Sequence, residues 1–380
     1  MRNPFERSTQ RDDKKSQAGY TGDNVYAIVG IIWNISPKTT NDVASIMEKN
    51  LFTSTDLHKL FQMNSVAPNT LIAAEKAGHI PKAMRIQRGR IDVRQWSLAQ
   101  VPAIGARYGF LNPPKSTRVI CVYTAKGGVL KSTLSYSLGR ILALNGIKTL
   151  IVGLDIQGTV TDLALNPIAV ESLEDVTTYK GLADALMRKT PLSKIIRETP
   201  LPTLDIIPET PGLGPLEKHI RDTKRREFVL KDKVVDALRG DYDVIIFDNS
   251  PNWNLLIENA LTAANVVISP IGCDLGSYQA LATNLSTTLD FQKDMQIKWD
   301  NVILVPTLLE KNKLSAQIYG AYLTQHPDLV THTAIRRAIR GQEALTMRQS
   351  APEYDPKSDL AKDYYDLVKD VWSRILKAEK

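Results

Sequence analysis

The stretch TAKGGVLKSTL (124–134) lies between an apolar run, RVICVYTA (118–125), and a segment with helical spacing, STLSYSLGRILALNG (132–146). A buried strand that turns into a helix through paired glycines, here Gly127 and Gly128, is the way a chain wraps a phosphate. Backbone N–H groups from Gly127 through Val129 and Leu130 to Lys131 would surround the β-phosphate. Lys131 would reach the β- and γ-phosphates, and the Ser132 hydroxyl, followed by Thr133, would ligate Mg²⁺. Leu130 stands where a Walker A loop has its second glycine. If the loop demands positive φ there, leucine costs roughly 1–2 kcal/mol. Several charge-assisted bonds to phosphate, about 1.5–3 kcal/mol each, outweigh that cost. Nucleotide binding is expected to survive and turnover to be slow. A second lysine, Lys126, precedes the glycines, where an ordinary loop has no use for one.

The pattern continues outward from this loop. KTLIVGLD (148–155), YDVIIFDNS (242–250), ANVVISPI (264–271) and NVILVPT (301–307) are further apolar runs of parallel-strand character. Helical stretches separate them, which predicts an α/β fold: a mostly parallel sheet covered by helices on both faces. Asp155 and Asp248 end two of the strands, where carboxylates can meet a metal; the competing role for each is a helix cap or a surface charge. The paired prolines of LNPPKST (111–117) mark a linker, so residues 118–380 are expected to form the nucleotide-binding domain.

Composition narrows the class. The chain has 380 residues, 43% apolar and 23% charged, as in an ordinary globular protein of two domains. It contains no apolar run of about 18 residues that would cross a bilayer, and its N-terminus lacks the apolar core of a signal peptide. Cys121 and Cys273 have no metal-ligand spacing and read as buried thiols in a reducing cytoplasm. Residues 1–115 hold 16 Lys/Arg against 9 Asp/Glu, whereas the rest hold 32 of each, so the formal charge of +7 belongs to the first third. Such an excess points to a polyanion partner, most simply nucleic acid, unless it only solvates the surface.

Within that third, residues 1–50 are expected to be a polar tail and a helix. In LFTSTDLHKLFQMNS (51–65), Thr53 or Ser54 can cap a helix that aligns Leu57, Leu60 and Phe61. VAPNTLIAAEKAG (66–78) predicts a second helix closed by Gly78. KAMRIQRGRIDVRQW (82–96) then predicts a hairpin with Lys82, Arg85, Arg88, Arg90 and Arg94. Two short helices followed by a basic hairpin resemble a MerR-like winged helix-turn-helix over residues 51–110. That resemblance implies DNA binding, with Asn69 and Thr70 meeting base edges or phosphates and the hairpin arginines meeting phosphates.

KGG followed by KST, with Lys126 in front, resembles the deviant Walker A motif of the ParA/MinD group of ATPases. TLIVGLDIQGTVTDLAL (149–165) is similar to that group's D-x-D-P-Q-G strand end, and YDVIIFDNSPNWNLLIENALTAANVVISPIGCD (242–274) to its Walker B strand and the segment after it. VPTLLEKNKLSAQI (305–318) and SAPEYDPKSDLAKDYYDL (350–367) are similar to later segments of ParA partition proteins. The resemblance covers about two-thirds of the chain. It implies that Lys126 contacts phosphate across a nucleotide-sandwich homodimer, that Asp155 orients the attacking water or its Mg²⁺ environment, and that Asp248 holds the metal. It also places Pro306 and Thr307 against adenine. The chain departs from the group at Leu130, at Gly153 (for the first Asp), at Ile156 (for Pro), and at Asn249 and Ser250.

TAIRRAIRGQ (333–342) places Arg336, Arg337 and Arg340 near one face of a predicted helix, a candidate for non-specific DNA binding or a solvated face. The terminal segment LAKDYYDLVKDVWSRILKAEK (360–380) is amphipathic, but acidic residues interrupt its polar face, which predicts docking on the core rather than on a membrane. The resemblance implies a cytoplasmic, nucleoid-associated partition ATPase using ATP/ADP, with operator and non-specific DNA and a ParB-like centromere-binding protein as partners. The alternative is a transcriptional autorepressor that uses nucleotide as a conformational ligand with negligible hydrolysis.

Overall fold

The computed structural model describes residues 51–64, 66–67, 69–89, 91–165 and 179–379, which fall in one unit, Leu51–Lys380. The expected tail and helix of residues 1–50 lie outside the described residues, as do Arg90 and the side chain of Arg88. Strand β1 (Leu51–Thr53) leads into helix α1 (Ser54–Leu60). Thr53 is the cap: its Oγ1 accepts from Asp56 N at 3.2 Å, and the Asp56 carboxylate accepts from Thr53 N at 3.0 Å. Leu57, Leu60 and Phe61 are buried together, as their spacing predicts. Helix α2 (Thr70–Lys76) ends at Ala77, and Gly78, with φ +72°, takes the chain out of the helix.

The hairpin follows as β2 (Met84–Arg88) and β3 (Ile91–Ser97), and β1 pairs on the far side of β3 to give an antiparallel sheet ordered β1-β3-β2. Trp96 is fully buried opposite Phe52, and its Nε1 donates to Pro81 O at 2.8 Å. Helix α3 (Val101–Tyr108) carries the chain towards the large sheet. The proline-rich connection is tied down at both ends. Leu111 and Thr117 are buried, and Trp372 Nε1 donates to Asn112 O at 2.8 Å.

Beyond it, β and α alternate: β4 (Arg118–Val122), α4 (Lys131–Leu144), β5 (Thr149–Gly153), α5 (Thr159–Leu165) and α6 (Leu182–Leu186) come first. Next are β6 (Arg197–Glu198), β7 (Leu204–Ile207), α7 (Leu213–Arg221), β8 (Val244–Asp248), α8 (Leu255–Ala263), β9 (Val266–Gly272) and α9 (Leu275–Asp294). The chain closes with β10 (Asn301–Leu309), α10 (Lys313–Gln325), β11 (Ile335–Arg336), α11 (Ile339–Thr346), α12 (Ala351–Tyr354) and α13 (Asp359–Lys377). The eight strands lie in the order β11-β10-β9-β4-β8-β5-β7-β6, all pairs parallel except β6 with β7. The five strands legible in sequence form its middle. β6, β7 and β11, of two, four and two residues, are too short to carry a periodic signal.

Alternation along β4 explains the two-faced burial. Ile120 and Val122 join one apolar core with Leu134, Ile141 and Tyr364, while Val119 and Cys121 join the other with Phe247, Ile257 and Leu261. Helix α13 docks on the core as predicted, burying Leu360, Tyr364, Leu367, Val371 and Ile375. It also reaches the N-terminal helices, where Tyr365 OH donates to Leu60 O at 2.8 Å. Cys121 and Cys273 are free and buried, and burial pushes the Cys273 thiol up to about 12.

Candidate functional site

Parallel strands end together at one edge of the sheet, and loops there converge on a cleft. β4 runs into the glycine loop and α4, with Val129 buried to anchor the turn and Thr307 Oγ1 donating to Val129 O at 3.2 Å. Gly128 has φ +73°, and Leu130, at φ 67° and ψ 29°, caps α4 in the left-handed region. The loop therefore does demand positive φ at the leucine. Lys131 opens α4 with its ammonium turned back into the loop, where Nζ donates to Lys126 O at 2.8 Å. It is only 7% exposed, and burial lowers its pKa against the pull of Asp248 and Asp155.

Asp248 ends β8 directly beneath the loop and is fully buried. Its Oδ1 accepts from Ser135 Oγ at 2.7 Å, and its Oδ2 is enclosed without a hydrogen bond of normal geometry among the described residues. Burial pushes this carboxyl up to about 6, against the hydrogen-bonding pull of Ser135 and Ser132. Asp155 follows β5 and lines a cleft of about 600 Å³ together with Gly127, Lys131, Ser132 and Gln157. Gln157 N donates to Asp155 Oδ1 at 3.1 Å, so the backbone holds the carboxylate at the cleft edge.

A second cleft, about 260 Å³, opens beside the same loop between Leu130, Thr133, Leu308, Ile335 and Tyr364. Pro306 and Thr307, expected against a base, are buried near the end of β10, and their neighbour Leu308 lines this cleft. Among the sequence departures, Asn249 is fully buried and stitches β8 to β4, its Nδ2 donating to Val122 O at 3.1 Å. Ser250 lines the larger cleft, and Ile156 is 59% exposed at its rim.

Lys126 projects from the loop mouth and is ion-paired with Asp274 at 2.7 Å. Asp274 caps α9, accepting from Ser277 N at 3.0 Å. Although partial burial opposes it, hydrogen bonds from Lys126 and Ser277 pull this carboxyl down to about 2. Sequence reasoning missed Asp274, although an Asp three residues before Ser277 at a helix start signalled the cap. It also missed Ser135 and Glu209, for which no local pattern exists.

The DNA-contact candidates divide. Asn69 is exposed at the start of α2 and makes no capping bond, with Thr70 beside it as the first helical residue. Lys82 and Arg85 are exposed on the hairpin side. Arg94 is engaged, its Nε donating to Glu75 Oε2 at 2.9 Å. Arg336, Arg337 and Arg340 do not share a helix, contrary to the sequence expectation. Ile335–Arg336 pairs with β10 as an edge strand and α11 begins only at Ile339. Each arginine meets a carboxylate: Arg336 with Asp363 at 2.6 Å, Arg337 with Glu310 at 3.2 Å, and Arg340 with Asp355. Arg336 is held by two carboxylates, Asp363 and Asp359, whereas Arg337 and Arg340 stay largely exposed beside their partners.

A family profile described as "AAA domain" matches residues 117–300. The sporulation initiation inhibitor protein Soj of Bacillus subtilis is 33% identical over 258 residues, 67% of this chain and 98% of Soj. The chromosome partitioning protein ParA of Caulobacter vibrioides is 30% identical over 260 residues, covering 68% of this chain and 94% of ParA. Among solved structures, a partition protein superposes with a TM-score of 0.61 at 15% identity, over 93% of this chain and 99% of that one. Cobyrinic acid a,c-diamide synthase from Mycobacterium smegmatis, solved with an ATP analog and magnesium, gives 0.51 at 28% identity over 62% and 93%. The partition-protein likeness speaks to the fold alone, but the identity to Soj and ParA spans two-thirds of the chain. The chain belongs to the ParA/Soj family of partition ATPases.

Proposed function

We propose that this chain is a DNA-partition ATPase in which ATP drives two copies together, the pair binds DNA, and a ParB-like partner triggers hydrolysis and release. The observation that carries this reading is Lys126. Its ammonium waits at the loop mouth on a side chain 33% exposed, held by one partly exposed carboxylate. It can leave Asp274 for the phosphate of a second copy without rebuilding the loop.

The residues fit a nucleotide. Lys131 is a buried cation satisfied by one backbone carbonyl, and a phosphate oxygen would provide the countercharge that burial withholds. Asp248 offers an enclosed acceptor, and with Ser132 and Asp155, which line the cleft, it would hold Mg²⁺. Bound Mg²⁺ would neutralise charge on the phosphates. The ATP analog and magnesium in the diamide synthase support the same choice of ligand. Lys131 and Lys126 then face the transferred phosphoryl group while Asp155 orients water, and positioning with electrostatics carries most of such a reaction. The smaller cleft, with Leu308 and Tyr364, suits the base.

The test is ATP turnover with DNA and the partner present, comparing the native chain with Lys131→Ala; hydrolysis unaffected by that change would defeat the assignment.

A second activity, operator binding with autorepression, is favoured by two short helices, α1 and α2, followed by the basic hairpin of β2 and β3. Asn69, Thr70, Lys82 and Arg85, with Arg88 and Arg90, would form the DNA surface. Helix α13 lines the smaller cleft through Leu360 and Tyr364 and touches α1 through Tyr365, so nucleotide occupancy has a physical route to the helix pair. Footprinting of the chain's own promoter with ADP and ATP, beside a turnover assay, separates the readings. A footprint without turnover favours a repressor that does not hydrolyse. A cytoplasmic, nucleoid-associated protein follows from this proposal, and among the described residues no helix is long and apolar enough to cross a membrane.

A further inference from the structure

Strand β5 is buried throughout and ends at Gly153, two residues before Asp155. A Cβ built on Gly153 would lie 2.3 Å from Glu209 Cδ and 2.4 Å from its Cγ, closer than real Cβ atoms come to anything. Glu209 arrives from the neighbouring parallel strand, two residues past the end of β7. Its Oε2 accepts from Thr161 N at 2.9 Å and also from Thr161 Oγ1, while its own N donates to Thr161 Oγ1 at 2.8 Å. Its Oε1 is enclosed with no partner among the described residues, and the residue is 7% exposed.

Thr161 is the third residue of α5, the helix that leaves the Asp155 loop. At the start of that helix Gly158 N donates to Asp155 O at 3.0 Å, and Asp162 N donates to Gly158 O at 3.0 Å. The Glu209 carboxylate thus grips the one helix whose first turn is continuous with Asp155. It does not line the cleft itself.

We propose that Glu209 is a positioning residue for hydrolysis: its carboxylate enters the space that only a glycine at position 153 leaves open and clamps α5, and with it the Asp155 loop, against the sheet. Positions 153 and 209 share room for one carboxyl group. A side chain at 153 and the Glu209 side chain in its present place exclude each other, and a carboxylate from either strand end can occupy that place. This is the physical reason for the glycine at 153: the acidic group is present, but it comes from the adjacent strand.

The kinetic part of this inference rests on the proposed ATPase activity; the spatial exchange does not. The full-length chain is prepared as Glu209→Ala, Gly153→Asp and the double variant. Each is measured for thermal midpoint, for affinity towards a fluorescent ADP analogue with Mg²⁺, and for ATP turnover. Glu209→Ala should keep ADP affinity within about threefold while lowering kcat at least tenfold with KM little changed, the pattern of lost transition-state positioning. Gly153→Asp should lower the midpoint by at least about 5 °C. The double variant should recover most of that midpoint and bring turnover to within about threefold of the native chain, a coupling between neighbours that independent sites do not show. A Gly153→Asp chain as stable as the native one, or a double variant no better than its singles, overturns the exchange. Equal losses of ADP affinity and kcat in Glu209→Ala overturn the positioning role. If the native chain shows no turnover, the ATPase proposal is what fails, while the midpoints still decide whether the two positions share one carboxylate.

Discussion

Replacing Leu130 tests how the chain tolerates a branched residue in a glycine position. The leucine sits at φ 67° and ψ 29°, half-buried and packed against the core that α4 and α13 share. Leu130→Gly relieves a left-handed conformation worth about 1–2 kcal/mol. Against this, the unfolded glycine gains freedom worth about 0.4–1 kcal/mol. Loss of a half-buried isobutyl group costs about 1 kcal/mol, half the range for complete burial. These terms cancel to within about 1 kcal/mol, so the thermal midpoint should move by no more than about 2–4 °C in a chain of this size. Leu130→Ala loses the packing and keeps the strain, and should be the less stable variant by about 1 kcal/mol. Because the phosphate would meet the backbone N–H at this position, affinity for ATP should change less than about threefold in either variant. The assay is a thermal melt of the apo chain beside titration with a fluorescent ATP analogue. A glycine variant less stable than the alanine variant refutes the strain argument. A tenfold change in affinity shows instead that the leucine side chain shapes the site.

Other substitutions probe the pairings. Lys126→Ala should retain nucleotide but lose the ATP-dependent dimer in light scattering, and Asp274→Asn, which releases the lysine, should form it at lower protein concentration; an unaltered dimer in Lys126→Ala defeats the role. Burial pushes the Glu209 carboxyl up to about 7 against its bonds to Thr161, so between its ordinary 4.5 and that value the folded chain holds a proton the unfolded chain has lost. The stabilisation is full at the acid end of that window and is lost as pH rises through 7. Thermal midpoints of the native chain should therefore fall relative to Glu209→Gln between pH 5 and 8, and a constant difference contradicts this. Lys82→Ala and Arg85→Ala should each lower DNA affinity and reduce the salt slope by about one. Arg94→Ala, which strands Glu75, should lower the thermal midpoint instead; a DNA effect equal to theirs, without destabilisation, argues against the ion pair's structural role.

How much of this was legible in sequence depends on how far apart the deciding groups lie. The phosphate loop, the central strands with Asp155 and Asp248 at their ends, the Thr53 cap and the Gly78 stop were all readable. Period-two burial, cap hydrogen bonds and positive φ are settled within a few residues of chain. The hairpin and the docked terminal helix were readable for the same reason. What failed was inference about which distant side chains meet. TAIRRAIR has helical spacing, yet β10 takes Ile335–Arg336 as an edge strand, and Asp363, 27 residues on, takes the arginine.

The phosphate loop divides in the same way. Sequence alone determined that TAKGGVLKSTL is a strand-to-helix phosphate loop with an extra lysine, because glycine, lysine and hydroxyl at that spacing act through their own backbone. Tertiary structure decided that Lys126 rests on Asp274, 148 residues away, and that Glu209 fills the space beside Gly153. Those outcomes depend on the order of strands in the sheet, which brings β4 beside β9 and β5 beside β7. Residue spacing carries no record of that order, and burial at the strand ends determines which charges must find one another.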